Sequence, residues 1–214
     1  MALHKLKYGE AVTEACSRVN DPDKDTYGDR AGELFYEGVV TLVKSGKAGP
    51  DEVPGLFQSM TVLAENFISG PTNMRIIEDA NDNTDLRLNI VDTGESCIRL
   101  ISIMDDYEIA ETGSGTVEHK YIPISIMEYR QMIDPEMRPF EDEIYYYRAG
   151  DFVRFYPANG DTGLMTNQRM IVNFIKHPKE FGDEDDLTGS FSLDFVYQII
   201  NYIVAQLRME IAGE

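Results

Sequence analysis

The last stretch of the chain constrains the fold most, because its pattern, its length and its possible caps all indicate one helix. From Ser190 to Ala212 the apolar residues follow a helical period: Phe195, Val196, Ile199, Ile200, Ile203, Val204, Leu207 and Ile211. Either Ser190 or Ser192 can cap this helix, since a hydroxyl can accept a backbone N–H of the first turn. Isolated helices of this size are marginal in water. The apolar stripe must therefore pack on other parts of the chain or on a neighbouring subunit.

Three further segments near the N-terminus show helical spacing of apolar residues. They span residues 6–19, 27–45 and 50–68. Asp25 or Thr26 offers a cap for the second of these helices, and Gly46 ends it. Gly38 lies among the apolar residues of the same segment, so we expect another helix to approach it closely. The sequence thus predicts three N-terminal helices.

From about Leu86 the apolar period changes from 3.6 to 2, which indicates strands. The runs 86–90 and 98–104 are joined by a short polar turn and predict a β-hairpin. Further strands are predicted at 107–110, 119–124, 143–148, 151–156 and 169–176. The tetrad from Arg148 to Asp151 leaves two central residues, which favours a tight hairpin between two aromatic strands. A short helix capped by Ser125 is predicted at 125–133.

This order of elements predicts an α+β fold: a helical bundle of N-terminal helices plus the C-terminal helix, with an embedded antiparallel β region. We expect residues 1–78 and 188–214 to form the helical body. Residues 79–187 then form an inserted β-rich region with one short helix, in which the acidic loop 179–188 only separates the sheet from the last helix.

The composition excludes several classes of function. A formal net charge of −19 and a pI near 4.4 argue against a primary role in gripping nucleic acid or anionic membrane, because both need clustered Lys and Arg. Cys16 and Cys97 are far apart and form no CxxC motif, so we expect two buried thiols in a reducing compartment. The chain has neither a signal-peptide pattern nor an apolar run of membrane-spanning length. We therefore expect no membrane partner.

Two acidic runs resemble the start of a calcium-binding loop. In the run 79–85 the position of the required glycine holds Thr84, and the position of the bidentate glutamate holds Ile90. The run that begins at Asp21 fails at the same two positions. Solvated turns are favoured over metal sites, and we predict no metal.

No local motif argues for catalysis or for a cofactor. The segment 112–116 contains GxG but precedes a strand pattern, so no helix N-terminus is available for a pyrophosphate. The histidines are His4, His119 and His177, which are far apart in the sequence. Glu141 and Glu143 would share one face of a strand, where two carboxylates could act as acid and base. A solvated strand face near a turn is the favoured interpretation. We predict no catalytic residue and no cofactor, although distant residues can converge in an enzyme.

Aromatic residues supply the candidate interface. Those of the predicted tight hairpin are Tyr145, Tyr146, Tyr147, Phe152, Phe155 and Tyr156. Such rings can stack on bases, but acidic residues outnumber basic ones around them, so core packing or a protein interface is favoured. On the last helix, Tyr197, Tyr202 and Met209 widen the apolar stripe beyond what one partner helix covers. We expect this extra face to contact a neighbouring subunit.

The overall plan resembles the head-to-tail connector, or adaptor, proteins of tailed bacteriophages. The resemblance rests on a helical N-terminal region that ends in Ser69-Gly-Pro71, on Tyr121-Ile-Pro-Ile124, on the aromatic hairpin from Tyr145 to Pro157, and on a closing helix. It implies a virion structural protein, assembled in the host cytoplasm, that forms a homo-oligomeric ring, commonly of twelve subunits. Its partners would be the portal protein and tail proteins, with DNA passing through the lumen without specific binding.

Two other classes of function stay open at this stage. One is an acidic interaction protein that mimics the charge of nucleic acid to block a basic partner. The other is an uncharacterised enzyme whose residues come from distant positions. In the connector hypothesis, acidic residues that face the lumen would keep the duplex from adhering, which gives the charge of −19 a use.

Overall fold

The chain divides into two compact units. The helical unit consists of Met1–Gln58 and Ile175–Glu214, and the β unit is Ser59–Phe174. This computed structural model describes residues 6–63, 75–78, 84–87, 97–105, 120–132, 143–149, 152–156 and 169–213. The change between units thus falls near residues 58 and 175, where the sequence interpretation set it at 78 and 188.

Three helices of the helical unit pack on one another: α1 (Tyr8–Ser17), α2 (Gly28–Lys44) and α4 (Leu193–Gly213). The backbone N–H of Phe195 donates to Oγ of Ser192 at 3.3 Å, so Ser192 is the cap of α4. Helix α2 ends as predicted at Gly46, whose φ of 75° is the left-handed conformation that glycine adopts readily. The N–H groups of Gly46 and Lys47 donate to the carbonyls of Val43 and Leu42, which satisfies the last turn.

Helix α2 begins differently from the prediction that Asp25 or Thr26 caps it. Residue Tyr27 occupies the cap position and makes no side-chain cap hydrogen bond. Instead, the N–H groups of Thr26 and Tyr27 donate to Oδ2 of Asp21 at 3.2 and 2.8 Å. The carboxylate of Asp21, which is only 9% exposed, thus holds the turn that leads into the helix.

Aromatic rings form much of the core of the helical unit. Phe35 of α2 contacts Tyr8 of α1 edge-on at a centroid distance of 5.1 Å and Phe191 at 6.0 Å. Phe191 in turn lies 5.7 Å from Phe195 of α4. These contacts explain why α1, α2 and the start of α4 pack together, since each edge-to-face pair adds about 0.5–1.5 kcal/mol beyond its buried area.

The loop before α4 is more than the separator that the sequence suggested. The backbones of Lys7 and Asp186 form an isolated antiparallel β-bridge. The N–H groups of Tyr8 and Gly9 donate to the backbone carbonyls of Asp185 and Asp183. The side chain of Phe181 stacks on Tyr36 at 6.3 Å. The loop is therefore an integral part of the helical unit, because an aromatic residue anchors it and the segment before α1 pairs with it.

Eight strands form two sheets in the described residues. The strands are β1 (Phe57–Leu63), β2 (Arg75–Glu78), β3 (Thr84–Arg87), β4 (Cys97–Asp105), β5 (Lys120–Pro123), β6 (Glu143–Ala149), β7 (Phe152–Tyr156) and β8 (Arg169–Lys176). One sheet has the order β1-β8-β4 and the other the order β2-β3-β7-β6-β5. In the second sheet, β2-β3, β3-β7 and β7-β6 are antiparallel, whereas β5 runs parallel to β6.

The β unit has its own core, formed by residues from strands of both sheets. Its buried members are Cys97, Ile103, Ile144, Tyr146, Val153, Val172 and Phe174. A polar row accompanies it: Nδ2 of the buried Asn173 donates to Oγ of Ser102 at 2.9 Å, and the Ser59 hydroxyl donates to Oδ1 of Asn173. This row links strands β1, β8 and β4, because each contributes one of the three residues.

The predicted α+β class, with N-terminal helices, a C-terminal helix and an embedded β region, is confirmed. So are the tight hairpin, whose innermost pair is Ala149 and Phe152, and the short helix α3 (Ile126–Met132). The N–H of Glu128 donates to Oγ of Ser125, and the N–H of Ser125 donates to the Glu128 carboxylate, as in a capping box.

Two predicted elements are wrong. Residues 57–63 form β1 and not part of a helix over 50–68, since Pro54-Gly55 interrupts the segment and aromatic and β-branched residues follow it. The runs near residues 86 and 98 do not form a hairpin: β3 pairs with β2 and β7, whereas β4 lies beside β8. The predicted strand 107–110 lies outside the described residues.

Candidate functional site

Two of the proposed interface aromatics are buried, and one of them, Tyr146, belongs to the core cluster of the β unit. Tyr146 and Tyr147 are 5% and 8% exposed, and burial raises the pKa of Tyr146 above its ordinary value. Tyr146 packs with Cys97 and Ile103 in the core cluster. These two rings stabilise the unit, and in the single chain they offer little surface to a partner.

Tyr145 lies on the face of β6 opposite to Tyr146 and takes part in a polar cluster. Its hydroxyl donates to Oε2 of Glu143 at 2.6 Å, and this hydrogen bond raises the pKa of Tyr145. Nζ of Lys120, on the neighbouring strand β5, lies 3.6 Å from the other oxygen of Glu143. Glu143 is thus engaged by a phenol and an ammonium group, whereas Glu141, its predicted partner on the strand face, lies outside the described residues.

The remaining hairpin aromatics are Phe152, Phe155 and Tyr156, whose positions are known from the strand register alone. Phe155 is the pairing partner of Tyr146, and Tyr156 is the partner of Tyr145. Their side chains lie outside the part of the chain that the structure describes. The hairpin therefore brings the predicted aromatic residues together along two strands, as their spacing suggested.

Arg148 gives the hairpin a further role that the sequence did not reveal. Its guanidinium donates to the carbonyl oxygens of Ile98 at 2.7 Å and Cys97 at 2.8 Å. These hydrogen bonds run from β6 of the five-stranded sheet to β4 of the three-stranded sheet. Because a charged donor makes comparatively strong hydrogen bonds, Arg148 fixes the relation of the two strands.

Helix α4 carries the candidate surface of the helical unit. Tyr202 is half-buried, and a Cβ at Gly38 of α2 would lie 2.9 Å from its Cδ1, which confirms the expected close helix approach at Gly38. Tyr197, in contrast, is 45% exposed. Leu193 and Met209, at 45% and 60%, are also exposed, so part of the predicted extra face is open to solvent.

A second exposed apolar pair lies in the β unit. Ile126 and Met127, in the first turn of α3, are 49% and 62% exposed. The Ser125–Glu128 capping box holds this turn. The pair had no recognisable signal in the sequence, because two adjacent apolar residues at the start of a short helix can equally well be buried.

An acidic cleft of about 400 Å³ lies on the helical unit beside α1. Its lining consists of Lys7, Gly9, Glu10, Thr13, Glu14, Ser17, Lys24, Asp183 and Glu184. Lys7 forms an ion pair with Glu184, and the pKa of Lys7 is raised mainly by that hydrogen bond. Oε1 of Glu14 pairs with Arg18 at 2.9 Å. The side chains in this lining are charged or small, and several of the charges are already paired.

The predicted acidic runs give no metal site in the described residues. The carboxylate of Asp21 accepts hydrogen bonds from the backbone N–H groups of Thr26 and Tyr27, which is a structural role. Within the described ranges, no group of three or more His, Cys, Asp and Glu side chains could hold a metal ion. Most of the 79–85 run lies outside those ranges.

The cysteines and histidines lie at the following places in the fold. Cys16 and Cys97 are buried thiols, as expected. His177 follows β8, whereas His4 and His119 lie outside the described residues. Among the described helices, none is long and apolar enough to cross a membrane.

No protein-family model matches the chain, and no curated protein is significantly similar to it.

Proposed function

We propose that this chain is a non-catalytic virion protein of a tailed bacteriophage, which assembles into a ring adaptor between the portal protein and the tail. The observation that supports the proposal is the division of the chain into a helical unit and a β unit. Both ends of the chain build one helical unit, and the intervening residues 59–174 form a separate β unit with its own core. This arrangement resembles the plan of the connector family, in which a helical bundle carries an embedded β region.

The exposed apolar residues support a role in assembly. Tyr197 and Met209 lie on the helical unit, and Ile126 and Met127 lie on the β unit. Each unit thus offers apolar side chains to a partner. A permanent ring needs interfaces that are more apolar than ordinary surface, and these residues are candidates for such contacts.

The charge of the helical unit supports passage of DNA without adhesion. Arg30 of α2 contacts three carboxylates, those of Glu33, Glu37 and Glu210, so this group stays net negative. The acidic cleft beside α1 is negative as well. In the proposed ring, surfaces of this kind would face the lumen and repel the phosphates of the duplex.

The proposal is tested by quantitative mass spectrometry of purified particles of the phage that encodes the chain. We expect this chain at a fixed copy ratio to the portal protein, unchanged by high-salt washing. Recovery of the chain only from the particle-free fraction would overturn the proposal.

An acidic interaction protein is the second candidate, favoured by the net charge of −19. Such a protein would capture a strongly basic, nucleic-acid-binding partner and release it when DNA competes. Pull-downs from infected cells at moderate salt separate the two proposals, because a mimic captures a DNA-binding protein whereas an adaptor captures portal or tail proteins.

A further inference from the structure

The outward side of α4 has the pattern of a helix contact. Asp194, Tyr197, Asn201, Ala205 and Arg208 recur every three or four residues and are all exposed, and we call them the outer face of α4. Leu193 and Met209 flank this face and are 45% and 60% exposed. The face is therefore a stripe of mixed apolar and charged residues about 20 Å long, at 1.5 Å per residue.

Among the described residues of the helical unit, the fourth helix that the sequence pattern suggested is not present to cover this stripe. Helices α1, α2 and α4 pack together, while residues 57–63 form β1. Arg18, the C-cap residue of α1, contacts the outer face at two residues: Nη1 of Arg18 donates to Oδ1 of Asn201 at 3.0 Å, and Nη2 of Arg208 donates to the carbonyl of Arg18 at 3.3 Å. Tyr197, Leu193 and Met209 stay exposed.

The order of residues on the outer face is self-complementary. Asp194 and Arg208 lie seven positions before and after Asn201, and Tyr197 and Ala205 lie four positions before and after it. If two copies of α4 cross antiparallel with their Asn201 residues opposite each other, each Asp194 meets the Arg208 of the other copy. Each Tyr197 then lies against Ala205, a large ring against a small side chain. Opposite charges then meet at the two ends of the contact, with Tyr197, Asn201 and Ala205 between them, so the same patch on each copy complements the other, as an isologous two-fold contact needs.

We propose that the outer face of α4 binds the same face of a second copy of this chain, antiparallel and about a two-fold axis at Asn201. A two-fold contact closes after two chains, so this contact cannot build the proposed ring. It joins free subunits in pairs, and because Tyr197 is also a candidate contact of the ring, the pair has to separate for the ring to form. Association of the purified chain is measured without the ring, so its test does not depend on the ring proposal. One helix pair covers much less than the roughly 800 Å² per partner of a standard interface, so the dimer is weak and reversible.

The test is sedimentation equilibrium of the purified full chain over a wide range of concentration. We expect a monomer–dimer equilibrium for the natural sequence. Asp194→Arg and Arg208→Asp should each raise the dissociation constant at least tenfold, and the double variant Asp194→Arg/Arg208→Asp should restore it to within about threefold. A natural chain that is monomeric at every concentration overturns the proposal.

The change in net charge separates the proposed ion pair from general repulsion between copies, because the two predict opposite effects of Asp194→Arg. Asp194→Arg makes the chain, at −19, less negative by two charges, so general repulsion between copies falls and would tighten association. The proposed ion pair predicts the opposite, a weaker dimer. Asp29→Arg is the matched control, because Asp29 is also an exposed acid in the first turn of a helix but lies on α2. If both substitutions change association equally, or if the double variant fails to recover, the two-fold contact is refuted.

Discussion

Gly38 provides a test of helix packing in which two effects oppose each other. Replacing a helical glycine with alanine normally stabilises a helix by about 1 kcal/mol. At this position, however, the new Cβ would lie 2.9 Å from Cδ1 of Tyr202 and 3.5 Å from Cγ2 of Ile199. The first distance is shorter than van der Waals contact allows, and crowding in a packed interior costs about 1–3 kcal/mol. We therefore expect Gly38→Ala to lower the free energy of unfolding by about 1 kcal/mol.

A double-mutant cycle isolates the crowding. Tyr202→Ala removes the ring that Cβ would meet, and Ile199 at 3.5 Å is in ordinary contact. In that background Gly38→Ala should stabilise the protein by about 1 kcal/mol, because only the helix propensity is left. The natural chain, Gly38→Ala, Tyr202→Ala and the double variant are compared by urea unfolding, which is monitored by far-UV circular dichroism. If Gly38→Ala stabilises both backgrounds equally, Gly38 does not serve the close approach of α2 and α4.

Three further predictions concern stability. Asp21→Ala should lower the free energy of unfolding by about 1–2 kcal/mol, because two backbone N–H groups lose their acceptor, whereas exposed Asp23→Ala should change it by no more than about 0.5 kcal/mol. Equal effects in urea unfolding would contradict the role of Asp21 in holding the turn before α2. Asn173→Ala should destabilise the β unit by about 1–3 kcal/mol, since it breaks the polar row, and hydrogen exchange should increase in β4 and β8 before it does in α2. Burial raises the pKa of Tyr8 from 10.0 to about 12, so the stability tied to its protonated phenol is complete below pH 10 and is lost as the pH rises through about 12. In urea unfolding measured as a function of pH, Tyr8→Phe should reduce the loss of stability above pH 10. An unchanged pH dependence would refute the contribution of the Tyr8 phenol to that loss.

The elements that the sequence predicted well are those whose local signals agree. The 3.6-residue period and the serine cap located α4, and the two-residue connection located the hairpin of β6 and β7. In both cases the pattern, the cap or the turn and the length depend on neighbouring residues only. Local rules are sufficient for such elements.

The two wrong elements both involve pairing between distant residues. The segment 57–63 follows the interruption at Pro54-Gly55, and its strand partner is β8, more than a hundred positions later in the chain. The run near Leu86 pairs with β2 and with the distant β7, and not with the run near residue 98 that the local pattern suggested. Strand formation depends on such partners more than helix formation does, so a single sequence read locally does not reveal them.

The candidate surfaces were predictable only in part. The sequence singled out Tyr197 and Met209, which are exposed, but it grouped them with Tyr202, which packs at Gly38. It also offered Tyr146 and Tyr147 as interface residues, although both are buried. An aromatic strand face has the same composition whether it is core or surface, since only the fold decides which side is covered.

Cryo-electron microscopy of intact particles of the encoding phage tests the central claim most directly. The adaptor proposal predicts a closed ring of copies of this chain between portal and tail, into whose density the helical and β units fit. It also predicts that acidic surfaces of the helical unit face the channel. A portal–tail junction in which every protein is traced and this chain is absent would contradict the proposal.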